Sequence, residues 1–235
     1  MAALSDRLPS LRVPPIAFAT GGASAVEAPH SREAFQLALR LGATGLETHV
    51  WLTSDGVPVV AAAPKVRAGI RRRTIADTAA GDLADLADKV FPLESLVADT
   101  DVHLSLGVSG TSVVQAVLDR VGAADRSRLW FRCTDGPLLR EWRNMWPDIL
   151  LVDDARLSDM THGPERRAAS LGADGINAVR MPYADWTGGI ATLFHRFEVL
   201  AFGWDAIHDR MSVDMVRMGL DAIGTPHPDR LLPLL

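Results

Sequence analysis

The chain has 235 residues, of which 48% are hydrophobic, and this length can bury the core of one large domain or of two small ones. Its formal net charge of −5 and the lack of a long basic run argue against nucleic acid as the main partner, because phosphates attract a positive surface. The single cysteine, Cys133, excludes an intramolecular disulfide and favours a reducing compartment.

The first residues, MAALSDRLPSLRVPP, do not have the apolar core of a signal peptide, because charged residues and prolines interrupt them. No apolar run in the chain approaches the roughly 18 residues of a membrane-spanning helix. We therefore expect residues 1–14 to form an N-terminal extension. We also expect a cytoplasmic protein without a membrane span.

Short β-rich runs alternate with segments of helical period along the rest of the chain. The runs predict eight strands, at residues 15–20, 44–53, 102–108, 128–133, 149–155, 175–180, 199–204 and 220–225. Glycine often precedes the next strand, as a left-handed helix end favours, at Gly42, Gly122, Gly172 and Gly219. The alternation predicts a (β/α)8 barrel in one domain over residues 1–235. A doubly wound open sheet is the alternative, because the pattern alone does not show closure.

The chemistry of such a barrel lies where the strands end, on its C-terminal face. That rule selects Thr20, Gly21, Gly22, Glu47, His49, Ser105, Gly107, Arg132, Asp153, Asp154, Arg180, Trp204 and Thr225. Glu47, His49 and Trp51 are two residues apart, so a strand points all three to one side. If that side is the barrel interior, a carboxylate and an imidazole share the mouth of the barrel.

A hairpin follows this strand in the stretch LETHVWLTSDGVPVVAAAPKV, residues 46–66. Asp55-Gly56 is typical of its turn. The next strand should end in polar side chains if the hairpin serves an active site. It ends instead in Ala61, Ala62 and Ala63.

Four ordered segments resemble the glycerophosphodiester phosphodiesterase family. They are PIAFATGGAS, EAFQLALRLGATGLETHVWLTSDGVPVV, FPLESLV and AFGWDAIHDRMSVDMVRMGLDAIGTPHPDRL. They are similar to the family's opening strand and turn, its Glu-x-Asp strand with an Asp-Gly hairpin, its Ile-Pro-Thr-Leu-Glu-Glu segment and its closing strands. The resemblance runs nearly end to end. It implies a barrel that binds a divalent metal, cleaves a phosphodiester with a pair of histidines and serves lipid metabolism.

The family's catalytic positions carry different residues here. Its first histidine and the following arginine correspond to Thr20 and Gly21, and its second histidine and neighbouring aspartate correspond to Ala62 and Ala63. Of its Glu-x-Asp metal pair, Glu47 remains and His49 stands in place of the aspartate. A third metal-ligand position of the family is occupied by Gly107. The family's lysine, asparagine and closing Thr-Asp are replaced by Ser109, His30 and Thr225-Pro226.

These differences remove the mechanism that the resemblance implies. Cleavage of a phosphodiester needs charge stabilisation, an activated nucleophile and a protonated leaving group. Alanine has no proton to give, and a threonine hydroxyl ionises far too high to replace an imidazole. Glu47 alone is a poor cage for Mg²⁺ or Ca²⁺, which prefer several hard oxygen ligands. The alanine stretch therefore indicates a site that has lost its catalytic groups.

Several residues remain candidates for ligand binding: Thr20, Gly21, His30, Arg71, Arg132 and Trp204. The turn over residues 19–24 could cradle an anion through backbone amides or could be only a tight turn. Arg71 opens a run of three arginines that could grip phosphate or face solvent. Arg132 and Arg180 could enter the barrel mouth or pair with Asp153 and Asp154, for which a turn or helix-cap role is favoured. Trp204 could pack against a ligand or in the core.

The leading interpretation needs no cofactor; a divalent metal (Mg, Ca or Zn) on Glu47 and His49 is the alternative, with His30 as a third ligand or a base.

We expect a non-hydrolytic member of the family that binds a small anionic or phosphorylated molecule or a protein partner, including a second copy. The second hypothesis is an active phosphoric diester hydrolase or lyase rebuilt around Glu47, which predicts that Glu47, His49 and His30 converge. The third is a structural subunit whose barrel is filled by Trp51 and Trp204. It predicts no cavity and an apolar patch on the helix PLLREWRNMWP.

Overall fold

The computed structural model describes residues 7–68, 71–86 and 90–234. Within them the strands are β1 (Ile16–Thr20), β2 (Gly45–Leu52), β3 (Pro58–Val60), β4 (Lys65–Ala68), β5 (Arg71–Thr74), β6 (Phe91–Pro92), β7 (His103–Gly107), β8 (Leu129–Cys133), β9 (Leu150–Asp154), β10 (Ala178–Pro182), β11 (Leu200–Trp204) and β12 (Ala222–Thr225). β1, β2 and β7 to β12 pair in parallel, and β1 bonds to both β12 and β2, so the sheet closes. This single-domain (β/α)8 barrel confirms the predicted fold and excludes the open sheet.

Helices cover the outside of the barrel. In the described ranges they are α1 (Arg32–Arg40), α2 (Ala80–Leu86), α3 (Leu93–Ala98), α4 (Thr111–Leu118), α5 (Ala123–Arg126), α6 (Gly136–Met145), α7 (Gly163–Ala173), α8 (Gly188–His195), α9 (Asp209–Arg217) and α10 (Pro228–Leu231). Ser31, Asp135 and Thr187 cap α1, α6 and α8, each accepting a hydrogen bond from the backbone N–H three residues later. Trp142 and Phe194 are fully buried against the strands. Each such side chain contributes about 2–3 kcal/mol to stability.

The inside of the barrel is apolar in its N-terminal half and polar in its C-terminal half. Alternate residues of each strand point inward, so Phe18 lies below Thr20 and Trp130 lies below Arg132. The lower layers form a buried apolar cluster of Ile16, Phe18, Trp130, Val152, Ala178, Phe202 and Ala222. This cluster supports the polar side chains above it, which are those that the strand-end rule selected.

β2 is longer than its neighbours and extends beyond the barrel. Its last residues pair antiparallel with β3, which in turn pairs with β6. The turn between β2 and β3 contains Gly56 with φ +75°, as the Asp-Gly pair predicts. β4 and β5 form a separate two-stranded hairpin.

The segment before β1 is fixed to the barrel. The backbone N–H of Leu8 donates to the carbonyl of Arg217 at 2.9 Å, and the backbone N–H of Arg12 donates to Oδ1 of the buried Asp221 at 2.8 Å. Of the predicted extension, residues 1–6 lie outside the described residues. No helix in the described part of the chain is long and apolar enough to cross a membrane.

The glycines at the predicted helix ends have two different roles. Gly42 and Gly219 have φ of +89° and +82° and end helices in the left-handed conformation, as predicted. The prediction is wrong for Gly122, whose φ is −59°, and for Gly172, which lies inside α7. A Cβ on Gly172 would lie 2.7 Å from the carbonyl oxygen of Phe197, so this glycine allows close packing.

Candidate functional site

A cleft of about 730 Å³ opens at the C-terminal end of the barrel. Its inner surface is formed by the strand-end residues Thr20, Glu47, His49, Arg132, Arg180 and Trp204. One wall is formed by the segment after β9 and by the first turns of α7. The cleft contradicts the hypothesis of a filled barrel. Trp51 does not enter it, because its indole packs on His49 and donates to the carbonyl of Ala61 at 3.0 Å.

Glu47 is held by Arg180 through two hydrogen bonds. Nη2 of Arg180 donates to Oε1 of Glu47 at 2.6 Å, and Nε donates to Oε2 at 3.1 Å. Both residues are buried, and they are brought together by the closure of the barrel. The paired geometry is the strong bidentate form of a guanidinium–carboxylate contact.

Asp154 joins two arginines at the centre of the site. Its Oδ1 accepts from Nη1 of Arg180 and its Oδ2 from Nη1 of Arg132, both at 2.8 Å. Arg132 also donates through Nη2 to the carbonyl of Thr48 at 3.1 Å. Glu47, Arg132, Asp154 and Arg180 are called the floor of the cleft below, and their formal charges cancel.

The ionisation of the floor follows from these contacts. Burial alone would raise the pKa of Glu47 and of Asp154, but the charges of Arg180 and Arg132 outweigh it and hold both below their ordinary values. Burial lowers the pKa of Arg132, which remains charged at neutral pH because a guanidinium is not deprotonated in proteins. All four groups are therefore ionised near neutral pH.

His49 fills the space that Gly107 leaves open. A Cβ on Gly107 would overlap Nδ1 of His49 and would lie 3.1 Å from Nη2 of Arg132. Burial and the charge of Arg132 lower the pKa of His49, so its ring is neutral near pH 7. The space beside Gly107, which the resemblance assigns to a metal ligand, is thus occupied by a neutral imidazole and a guanidinium.

His30 is neither a surface residue nor part of the cleft lining. Its Nδ1 lies 2.8 Å from Oγ1 of Thr48, and its ring meets Phe35 edge-on. Burial, helped by His49, lowers the pKa of His30 to about 4. The ring centroids of His30 and His49 are 6.1 Å apart. Glu47 is bonded to Arg180 and His30 to Thr48, and within the described ranges these side chains do not form a group arranged to hold a metal ion, as a rebuilt metal-dependent site requires.

The turn after β1 does not offer its amides to a ligand. The backbone N–H of Gly21 donates to the carbonyl of Glu47 at 2.8 Å, and those of Gly22 and Ala23 donate to Ala19 and Ala34. Gly21 and Gly22 have φ of +65° and +82°. This is the tight turn that the sequence left open as an alternative, and the amides of Gly21, Gly22 and Ala23 are not free to cradle an anion.

Two further groups of residues that the sequence analysis singled out do not line the cleft. Ala62 and Ala63 are exposed after β3 and do not line it. The side chain of Arg71 lies outside the described residues. Its neighbours Arg72 and Arg73 are exposed on the β4–β5 hairpin and are not part of the cleft wall.

The favoured turn or helix-cap role of Asp153 and Asp154 is wrong. Asp154 points into the barrel and forms the floor, because alternate residues of β9 face inward. Asp153 faces outward, is fully buried and pairs with Arg167 of α7 through two hydrogen bonds. Burial nevertheless raises the pKa of Asp153.

Trp204 lies against the guanidinium of Arg180, whose Cζ is 4.9 Å from the ring centroid. Its indole Nε1 is buried without a hydrogen-bond partner in the described structure, as are Oγ1 of Thr20 and Nε of Arg132. Such groups are costly unless something satisfies them. These three unpaired atoms therefore lie beneath the surface of the cleft.

Sequence reasoning missed the outer wall of the cleft. Arg156 and Arg166 line it, both are exposed, and neither forms an ion pair among the described residues. Cζ of Arg156 is 5.7 Å from the ring centroid of Trp204. The strand-end rule does not reach these residues, although Gly163-Pro164-Glu165, which precedes the basic pair Arg166-Arg167, marks the start of a helix on this face.

The residues of the site do not fit the divalent metal that the resemblance implies. In the described ranges no group of three or more His, Cys, Asp or Glu residues is arranged to hold a metal ion. All four carboxylate oxygens of Glu47 and Asp154 already bond to guanidinium groups. A metal on Glu47 and His49 would lie beside Arg180 and Arg132, whose positive charges already neutralise the carboxylates and would repel it.

Three similar proteins of known structure share the fold. A protein from Silicibacter pomeroyi DSS-3 assigned to the glycerophosphoryl diester phosphodiesterases has a TM-score of 0.81 at 20% identity, over 95% of this chain and 94% of that one. A glycerophosphodiester phosphodiesterase from Thermotoga maritima has a TM-score of 0.80 at 20% identity, over 94% and 98%. A phosphodiesterase from Oleispira antarctica, solved with its product sn-glycerol-3-phosphate, has a TM-score of 0.76 at 14% identity, over 94% and 96%.

Neither a protein-family model nor a curated protein sequence matches the chain. The structural comparisons establish the glycerophosphodiester phosphodiesterase fold, as the sequence segments predicted. At these identities they establish the fold alone, and the activity has to be argued from the site.

Proposed function

We propose that the chain is a non-hydrolytic barrel of this fold that binds a small anionic molecule in the cleft. The observation that carries the proposal is the floor, where Arg132 and Arg180 engage every carboxylate oxygen of Glu47 and Asp154. Two fixed cations of the protein stand where the resemblance requires a metal. The two carboxylates of the floor are already neutralised by these two cations.

The acid and base of phosphodiester cleavage are also missing. Thr20, Gly21, Ala62 and Ala63 occupy the family's catalytic positions and carry no group that exchanges protons near neutral pH. His30, with a pKa lowered to about 4, is a weak base and is bonded to Thr48. The hypothesis of a hydrolase or lyase rebuilt around Glu47 therefore has no support in the geometry.

The charge of the cleft favours an anion. Arginine lines it at five positions, 132, 156, 166, 167 and 180, against three carboxylates, Glu47, Asp154 and Asp159. This local excess of positive charge stands in a chain whose formal net charge is −5. An excess of positive charge in a cleft raises the local concentration of small anions.

A thermal-shift series tests this proposal. Phosphorylated sugars, dicarboxylates and inorganic phosphate would be added at equal ionic strength, each beside its uncharged analogue. Because a ligand that binds only the folded state stabilises it by mass action, we expect a concentration-dependent rise in Tm for at least one anion and none for its neutral analogue. If neutral analogues raise Tm as much as the anions do, or if no anion raises it, anion binding is refuted.

We expect the protein to act in the cytoplasm, where its one thiol, Cys133, would stay reduced. A protein partner is not part of the proposal, because the helix that was the first place to look for an apolar patch buries one of its two tryptophans and partly buries Trp146, which leaves Met145 as its one exposed large apolar side chain. Trp142 is fully buried and donates to Oγ1 of Thr111 at 2.9 Å.

A further inference from the structure

A basic hairpin, formed by β4 and β5, stands apart from the sheet of the barrel. Residues 56–76 contain five lysine and arginine residues and no aspartate or glutamate, whereas the whole chain has a formal net charge of −5. In the described part of the chain β4 and β5 pair only with each other. The positive charge of this segment is therefore concentrated in one two-stranded ribbon, and the rest of the chain is more acidic than its net charge indicates.

The register of the hairpin places three of the cations on one face. Arg67 of β4 is directly opposite Arg72 of β5, and Lys65 is directly opposite Thr74. Because alternate residues of a strand point to opposite faces, these four side chains share one face of the ribbon. The Cβ atoms of directly opposite residues are about 5 Å apart, and those of diagonal neighbours are about 7–8 Å apart. This set, Lys65, Arg67, Arg72 and Thr74, is called the outer face below.

Val66 shows which way the outer face points. It lies on the opposite face of the ribbon and packs against the buried apolar cluster around Ile75. The ribbon is also fixed at its base, where the backbone N–H of Ile75 donates to the carbonyl of Pro64 at 2.9 Å. The apolar side of the ribbon is thus turned toward the barrel. The outer face is turned toward solvent, and its three cations are exposed.

The charges of the outer face are not balanced within the hairpin. Like charges that are neighbours on one face of a sheet repel one another. Among the described residues Lys65 and Arg72 form no ion pair, and the hairpin itself has no acidic residue to offer them. An anionic partner outside the chain would remove this repulsion and would be attracted by several cations at once.

Three classes of anionic partner differ in what they require of this surface. Single-stranded nucleic acids use aromatic side chains for stacking, and residues 61–77 contain no aromatic residue. A protein partner requires an interface with an apolar core, whereas the outer face consists of three cations and a threonine. A membrane that contains anionic lipids requires only clustered lysine and arginine on an exposed surface. The outer face fits the third class.

We infer that the outer face of the β4–β5 hairpin docks the protein on a membrane surface that contains anionic lipids. The contact is peripheral and electrostatic, and it does not depend on what the cleft binds. The segment that leads to the hairpin begins beside the cleft, because the backbone N–H of Ala61 donates to the carbonyl of His49 at 3.3 Å. Docking by the hairpin therefore holds the mouth of the barrel near the lipid surface.

Co-sedimentation of the full chain with lipid vesicles tests the inference. One set of vesicles is phosphatidylcholine alone, and the other is an equal mixture of phosphatidylcholine and phosphatidylglycerol. We expect the chain to bind the mixed vesicles only. Because salt at about 1 M shortens the Debye length to about 3 Å, it should release the bound protein.

Two double variants locate the contact. Lys65→Gln with Arg72→Gln removes two cations of the outer face, and Arg40→Gln with Arg196→Gln removes two exposed arginines at the ends of α1 and α8. Both double variants change the net charge equally. One cation near an anionic membrane strengthens binding about fivefold, so we expect the hairpin variant to bind the mixed vesicles about 25-fold more weakly. The control variant should keep the affinity of the unmodified chain, and thermal unfolding verifies that both variants fold.

Three results would overturn the inference. The first is a lack of binding to the mixed vesicles, or equal binding to both kinds of vesicle. The second is an equal loss in the two double variants, which would assign the binding to overall charge. The third is tighter binding of a poly-glutamate peptide or a short DNA duplex than of the mixed vesicles, lost in the hairpin variant. That result would make the partner an acidic protein or a nucleic acid.

Discussion

The two sides of the barrel mouth carry opposite kinds of residues. The side of β1 and β3 has Thr20, a glycine turn whose amides are bonded to carbonyls, and exposed alanines. The side of β8, β9 and β10 has Arg132, Asp154 and Arg180, joined by short hydrogen bonds. Glu47 lies between them and is bonded to the charged side.

This difference shows that the side without ionisable groups and the side with paired charges together balance the charge of Glu47. A buried carboxylate such as Glu47 needs a cation beside it, because an unpaired buried charge is strongly destabilising. Arg180 supplies it from a strand 133 positions further along the chain. Substitutions that disturb the charge pairing or the packing between the two sides should therefore lower the free energy of unfolding.

The largest expected effect comes from removing the cation. In Arg180→Met, Glu47 and part of Asp154 lose their partner inside the barrel, so we expect the free energy of unfolding to fall by about 3–5 kcal/mol. Urea unfolding measures it. Arg166→Met, an exposed arginine without an ion pair, is the control and should change it by less than about 0.5 kcal/mol. Pairing Arg180→Met with Glu47→Leu should recover a large part of the loss. A loss below about 1 kcal/mol in the single variant would mean that the floor does not hold the fold together.

The next effect is a pH dependence on the neutral side. Because the folded state lowers the pKa of His30 to about 4, the unfolded chain, with an ordinary value near 6.5, binds the proton more tightly. Stability is therefore full above about pH 6.5 and falls as the pH drops toward 4. Between pH 7.5 and pH 5 we expect His30 alone to account for a loss of about 2 kcal/mol. His30→Asn should remove that part of the slope in urea unfolding. An unchanged slope would assign the pH dependence to other groups.

The smallest effect tests the contact between the two sides. Gly107→Ala places a Cβ against the ring of His49, so we expect a loss of about 1–2 kcal/mol from overpacking. His49→Ala in the same chain should restore most of it, since the ring is the group displaced. Thermal unfolding of the single and double variants gives the comparison. Without rescue in the double variant, the strain would lie in the backbone and not at His49.

The fold could be predicted because it follows from local pattern. The alternation of strands and helices, and the turn residues between them, place all eight barrel strands within a few residues of their positions. The strand-end rule likewise brings Thr20, Glu47, His49, Arg132 and Trp204 to one cleft. Both predictions depend only on local sequence pattern, which includes the alternation of side chains along a strand.

What the sequence could not supply were contacts between distant segments. The pairing of Arg180 with Glu47 depends on barrel closure, and the inward position of Asp154 depends on the register of β9 with β8 and β10. Arg156 and Arg166 reach the cleft because the segment after β9 folds over it. A pattern of residue types carries no information about which of several arginines meets which carboxylate.

The most direct test of the central claim is hydrolysis of glycerophosphocholine and of an aryl phosphodiester, with Mg²⁺, Ca²⁺, Mn²⁺ or Zn²⁺ supplied in turn and an intact glycerophosphodiester phosphodiesterase as the control. Since the guanidinium groups occupy the carboxylate oxygens and no acid–base pair lines the cleft, we expect no turnover above the rate without protein for any metal. Metal-dependent turnover that Glu47→Ala abolishes would contradict the account and show an active site rebuilt around that carboxylate.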